Sequence, residues 1–183
     1  MSSISHLVIA ATRHANKEEV SKVHLDRVVL KALLPMYRDD SVFAKEALLD
    51  CGLLKAKFDT FEHPFSKPTP KHFTREHALV FVTQGIYVLI SLLADQEERW
   101  PIDGAEFRSL ALNEQVTLTR IELNFRKFMK NRNDIELSLR CDRLRIIGNR
   151  IHAFFSFEFG DGCFGMCEGI VSLDASLNPG AAI

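Results

Sequence analysis

The sequence predicts an α+β fold in which a curved antiparallel sheet wraps around one long central helix. Three observations predict it. Residues 74 to 93 are apolar around nearly the whole helical circumference, so a helix there must be enclosed by the rest of the fold. The C-terminal half alternates with period two, through Ile135, Leu137, Leu139 and Cys141 and then Ile151, Ala153, Phe155, Phe157 and Phe159, as strands with one buried face do. Ahead of the helix, two extended runs flank Asp50-Cys51-Gly52, which reads as a hairpin.

Taken in order, the first element is expected between Asn16 and Leu34. There Val20, Val23, Val28, Leu30, Leu33 and Leu34 are spaced for an amphipathic helix that Pro35 ends. Residues 1 to 15 fray or add a short element. The hairpin follows, with Leu54, Ala56 and Phe58 alternating in its second arm. Pro64, Pro68 and Pro70 hold the next loop extended, and the central helix starts at Thr74, a good capping residue. Beyond "ADQEERWPIDG" comes a strand-like run from Gln115 to Phe128, whose alternation slips near Arg120 as a bulge requires. The two alternating strands come next, and "CFGMCEGIVSL" follows the "GDG" turn at 160 to 162. Short turns between long strands imply antiparallel pairing. Hairpin, enclosed helix and meander make the hot-dog arrangement: one domain over 1–183, with 1–36 a helical segment packed on it.

Composition narrows the function. At 183 residues and 46% hydrophobic content, the chain can bury one self-sufficient core. Its 23 basic and 24 acidic side chains are interleaved, which argues against a protein held to nucleic acid by counterion release. The densest basic patch, "RKFMKNR" from Arg126 to Arg132, reads as a solvated loop. Cys51, Cys141, Cys163 and Cys167 lack zinc-site spacing, and no secretory leader precedes them, so reduced thiols and a cytoplasmic location are expected. Cys163 and Cys167 fall on one face of a strand. The apolar stretch from Ala78 to Leu93 contains Gln84 and Gly85 and is shorter than the ~20 residues of a bilayer span. No membrane, nucleic acid, metal or cofactor is expected. "GDGCFG" leads from strand to strand, a turn and not a phosphate loop, and neither a G-x-S-x-G elbow nor an H-E-x-x-H pair occurs.

The chemistry concentrates on the central helix. Glu76, Val80, Thr83 and Tyr87 fall at offsets of 0, 4, 7 and 11, a stripe along one face. Each polar member also has a structural reading: Thr83 bonding back to a carbonyl, Tyr87 reaching the surface, Gln84 pinning a strand or loop. Glu76 and His77 together read as a solvated first turn, with Glu76 suited to the helix dipole. With His72 at the helix entrance, the stripe is expected to face a ligand groove. His152 and Glu158 sit on the non-Phe face of their strand and read as exposed.

In these motifs the chain resembles the FcoT-type long-chain acyl-CoA thioesterases, which are hot-dog proteins. The residues carrying the resemblance are His72-Phe73 with Gln84 and Tyr87 at the family's spacing, "LLPMY" ending at Tyr37, and "FRK" at Phe125 to Lys127 leading into "LRCDRLRII". The resemblance implies hydrolysis of a fatty acyl thioester, carried by coenzyme A or an acyl carrier protein, without a cofactor, in a homodimer or higher homo-oligomer. It implies catalytic roles for Tyr37, Thr74 and Thr83, and substrate contacts from Phe65, Phe73, Gln84 and Tyr87; His72 is a further catalytic candidate through the dehydratase likeness given below. The chain departs from the family at three of these: Thr74 and Thr83 stand where the family has asparagines, and Phe65 near a family tyrosine. A similar H-F pair supplies the histidine of hot-dog β-hydroxyacyl thioester dehydratases, but their helix carboxylate falls at Val80 here. Dehydration through His72, with Glu76 as substitute acid, and acyl binding without turnover are the alternative functions.

Overall fold

The computed structural model describes residues 22–61, 72–130, 134–160 and 162–173. In chain order these form β1 (Val23–Leu25), α1 (Arg27–Leu33), a 3-10 turn (Asp39–Ser41), β2 (Ala44–Asp50), β3 (Leu53–Phe58), α2 (Arg75–Gln96), α3 (Gly104–Leu112), β4 (Val116–Phe125), β5 (Ile135–Ile147), β6 (Arg150–Phe159) and β7 (Cys163–Ser172). The strands form one antiparallel sheet in the order β1-β2-β3-β5-β6-β7-β4. The 22-residue α2 follows β3 and lies in the curve of this sheet. The protein has the α+β hot-dog fold.

Local chemistry sets several of these elements. Cys51 and Gly52 both take positive φ, 50° and 73°, as a two-residue hairpin turn matched to strand twist requires. The period-two residues of β6, Ile151, Ala153, Phe155, Phe157 and Phe159, are all buried. The register of β4 against β7 shifts between Leu118 and Arg120, where the alternation slips. At Gly85 a Cβ would come within 2.7 Å of the Leu137 side chain, so glycine is what lets the helix settle onto β5. By length and composition α2 resembles a membrane span, yet 72% of its most apolar window is buried; the sheet covers it where lipid otherwise would.

Three elements differ from expectation. The helix expected from Asn16 begins at Arg27, because Asp26 accepts hydrogen bonds from the Val28 and Val29 amides and Val23–Leu25 pairs with β2 instead. A free sheet edge outweighs helical spacing there, and Val28 faces solvent at 76% exposure. Residues 16 to 21 lie outside the described residues. The stretch between α2 and β4 holds α3, a helix absent from the expected order of elements. Asp103 caps it through the Glu106 amide at 2.8 Å. The Gly104 amide donates to Asp95 Oδ1 at 2.8 Å, and a Cβ on Gly104 would sit 2.3 Å from the Ser91 carbonyl oxygen, so α3 starts tight against α2. Finally, β4 ends at Phe125, and Arg126 leaves the ladder to lie 4.2 Å over the Phe164 ring.

Candidate active site

The entrance of α2 is built around Thr74. Its hydroxyl accepts from the His77 amide at 3.4 Å, and the Thr74 amide donates to His77 Nδ1 at 3.2 Å, a capping box in which histidine replaces the usual Glu or Gln. The Thr74 hydroxyl also lies 2.8 Å from Nδ1. An Nδ1 that accepts the Thr74 N–H carries no proton, so the ring is the Nε2–H tautomer, with Nε2 3.4 Å from the Phe61 carbonyl oxygen. His77 is fully buried and in ring contact with Phe61, Phe73 and Phe81. This corrects the expectation that Glu76 and His77 form a solvated first turn: of that pair only Glu76 is exposed. His72 is exposed too, bridged to Lys130 and beside the Phe128 ring. Phe73 is buried against Phe159.

Two turns further along, the polar residues divide. Gln84 is fully buried, its Oε1 accepting from the Phe43 and Ala44 amides at 3.0 and 3.3 Å and its Nε2 donating to the Ser41 carbonyl at 2.6 Å. The amide pins the start of β2 to the helix. Thr83 is half-buried and donates its hydroxyl proton to the Leu79 carbonyl at 2.7 Å. Its oxygen can still accept a hydrogen bond but has no proton left to give. Tyr87, also half-buried, meets Tyr37 edge to face at 6.1 Å and Phe107 of α3 at 5.8 Å. Burial pushes the Tyr37 phenol well above its ordinary range, and the nearby Tyr87 adds to the effect; burial raises Tyr87 as well. Both are phenols at any physiological pH.

The structure therefore does not gather the candidate residues at one point. Thr74 and Thr83 are nine residues apart, about 14 Å along a helix, and Tyr87 is about 20 Å from Thr74. Thr83 and Tyr87 lie one turn apart at mid-helix, with Tyr37 packed against Tyr87; His72, Phe73 and Thr74 form a group at the entrance. Phe65 lies outside the described residues. Glu76, Val80, Thr83 and Tyr87 are exposed or half-buried, whereas Phe81, Val82, Gln84, Gly85, Ile86 and Val88 are buried. The stripe read from the sequence is thus the open side of the helix. Among the described residues no three His, Cys, Asp or Glu side chains are grouped to hold a metal. All four cysteines are free thiols, with Cys141, Cys163 and Cys167 buried. His152 pairs with Glu168 at 3.3 Å. His77 was the residue that sequence reasoning missed, and Thr-x-x-His at capping-box spacing was the available signal.

No protein-family model matches the sequence, and no curated protein matches it. Solved structures do. A thioesterase superfamily protein aligns at TM-score 0.45 and 11% identity, over 92% of this chain and 74% of that one. The dehydratase domain from the CurJ module of the curacin polyketide synthase aligns at TM-score 0.48 and 10% identity, over 82% of this chain and 50% of that one. The probable thioesterase YbaW from Escherichia coli aligns at TM-score 0.40 and 10% identity, over 69% of this chain and 85% of that one. The chain thus spans half the length of the dehydratase domain.

Proposed function

We propose that this protein hydrolyses a fatty acyl thioester, in the manner of the FcoT-type enzymes it resembles, with the thioester at the mid-helix group. The observation that carries this reading is the edge-to-face pair of Tyr87, on the open stripe of α2, with Tyr37, two half-buried phenols held protonated, Tyr87 one helical turn beyond Thr83. A phenol that keeps its proton is a hydrogen-bond donor for the oxyanion that forms when water adds to the thioester carbonyl. Tyr37, aided by Tyr87, fills that role. Thr83, whose proton is committed to Leu79, accepts from the attacking water and orients it. Water adds to the carbonyl carbon, the C–S bond breaks, and the departing thiolate takes up the proton that the added water gives up, leaving free acid and thiol. No carboxylate acts as nucleophile.

In this reading Thr74 and His72 do not touch the reacting atoms. Thr74 holds the helix entrance, and Gln84 positions the helix against β2. Dehydration draws less support, because the stripe presents Val80 where a dehydratase needs a carboxylate and His72 lies at the exposed end. The test is thiol release from acyl-CoA thioesters of several chain lengths by wild type, Tyr37→Phe and His72→Ala. Release that Tyr37→Phe abolishes and His72→Ala largely spares supports hydrolysis at mid-helix. Release indifferent to Tyr37→Phe overturns it, and water loss from a β-hydroxyacyl thioester that vanishes in His72→Ala moves the assignment to dehydration.

A further inference from the structure

The hairpin of β5 and β6 outruns the rest of the sheet. β3 pairs with β5 only as far as Arg140, whereas β6 follows β5 to Ile147, so among the described residues 141–147 are paired on one side alone. The hairpin therefore ends in a tongue, and every residue from Arg145 to Arg150 is exposed. At its tip Gly148 takes φ 59°, and a Cβ there would meet nothing within 4 Å. Ile146 is 52% exposed and Ile147 59%. Consecutive strand residues point to opposite faces, and the register agrees: Ile146 stands opposite buried Ile151, and Ile147 opposite exposed Arg150. Both flanks of the tip thus carry a bare apolar side chain.

Charge at the tip has one sign. From Arg143 to His152 the chain carries three arginines and no Asp or Glu. The flanking acids are engaged, Asp142 accepting from Arg140 at 2.8 Å and Glu168 pairing with His152 at 3.3 Å. Arg143 lies 4.1 Å over the Phe154 ring, and among the described residues no carboxylate pairs with Arg143, Arg145 or Arg150.

We infer that this tip docks on an anionic lipid surface, the isoleucines entering between headgroups while the arginines meet lipid phosphates. A protein partner of fixed shape covers one face of a hairpin, whereas a fluid interface closes round both. A polynucleotide would reward the arginines and leave the isoleucines wet. Reach agrees with this. Arg145 lies about 7 Å and Arg143 about 13 Å behind Ile147, at ~3.3 Å per strand residue. Interfacial elements enter a bilayer by about 5–10 Å, and the long arginine stems extend toward the phosphates. Docking of this kind is peripheral: it revises the expectation that no membrane partner exists, and α2 stays enclosed by the sheet. It stands apart from the thioesterase reading, since no residue of the tip has a part in that chemistry.

The probe is a vesicle of about one-third phosphatidylglycerol in phosphatidylcholine, sedimented with the full chain at low salt. Expected is retention that pure phosphatidylcholine vesicles do not give and that added salt weakens. Each arginine near a charged surface is worth about fivefold, so Arg145→Gln/Arg150→Gln should weaken retention about 25-fold. Ile146→Ser/Ile147→Ser should weaken it about tenfold. All four positions are exposed, so the urea midpoint should hold in both variants. Ile147→Trp reads the tip directly. Trp100, the one native tryptophan, is 5% exposed, so a blue shift and quenching by brominated lipid chains report the new indole. No retention on anionic vesicles overturns the inference, as does retention that both double variants leave intact or a new indole that brominated lipid leaves unquenched. Equal retention on neutral vesicles overturns it as well. Without vesicle retention, oligonucleotide binding lost in the arginine variant would assign the tip to nucleic acid, and self-association lost in the isoleucine variant would assign it to a second copy.

Discussion

Two sides of one helix use polar residues in opposite ways. On the side of α2 facing the sheet, Gln84 directs its whole amide to backbone groups, and His77 caps the helix and approaches the Phe61 carbonyl. These side chains replace hydrogen bonds that the backbone would otherwise lack, and they hold distant segments at fixed distances. On the open stripe, Thr83, Tyr87 and the apposed Tyr37 are only half-buried. A buried polar residue is therefore no sign of a site in itself; the sign is hydrogen-bonding capacity that the fold does not consume.

Breaking the sealed side should have the largest effect. Gln84→Leu leaves the Phe43 and Ala44 amides and the Ser41 carbonyl without partners, and is expected to cost about 4 kcal/mol in urea unfolding, each orphaned group contributing roughly 1–3. On the stripe, Tyr37→Phe should lower the turnover rate about 10²-fold, or about 3 kcal/mol of barrier, while shifting the unfolding free energy by less than about 1 kcal/mol. A loss of stability as large as that of Gln84→Leu would erase the distinction between the two sides. Tyr37 and Tyr87 are the chain's two tyrosines, so ultraviolet titration reads them directly. Their raised values favour the protonated fold: stability from this source is intact below about pH 10, the ordinary phenol value, and declines above it. Phenolate absorbance should rise above that range, and a tyrosine titrating normally near pH 10 would show that the pair is open to water.

Smaller effects sharpen the same contrast. His77→Ala removes a cap and a contact to the Phe61 carbonyl, a loss of about 2 kcal/mol by chemical denaturation, and His77→Gln, which can rebuild the box, should recover part of it. Thr83→Val removes one bond local to the helix and should cost less than about 1 kcal/mol, with a visible fall in thiol release. A cost above about 2 kcal/mol would return Thr83 to the structural set.

What the sequence made legible follows the range of the interactions concerned. The hairpin at Cys51-Gly52, the slip near Arg120 and the buried faces of β5 and β6 depend on turn chemistry and period two, which act over a few residues. β1 and the burial of His77 do not. Val23–Leu25 has helical spacing and becomes strand only because the edge of β2, more than twenty residues on, is free to pair. His77 looks solvated beside Glu76 until Phe61, sixteen residues upstream, closes over it. At the candidate site, sequence spacing placed Glu76, Val80, Thr83 and Tyr87 on one face correctly. Adding Thr74 and His72 to the same centre ignored the rise of about 1.5 Å per residue that separates entrance from mid-helix.

The hairpin turn between β2 and β3 offers one practical opening. Of the four cysteines Cys51 alone is exposed, and Gly52 beside it lies near Glu97, just past the last turn of α2. A maleimide dye attached there would mark the end of the helix remote from Thr74, and fluorescence could follow ligand arrival without altering any residue assigned a role. Because a hydrogen bond to Asp50 leads the effects that raise this thiol above its ordinary range, the coupling should run best in mildly alkaline buffer, where the thiolate fraction is larger.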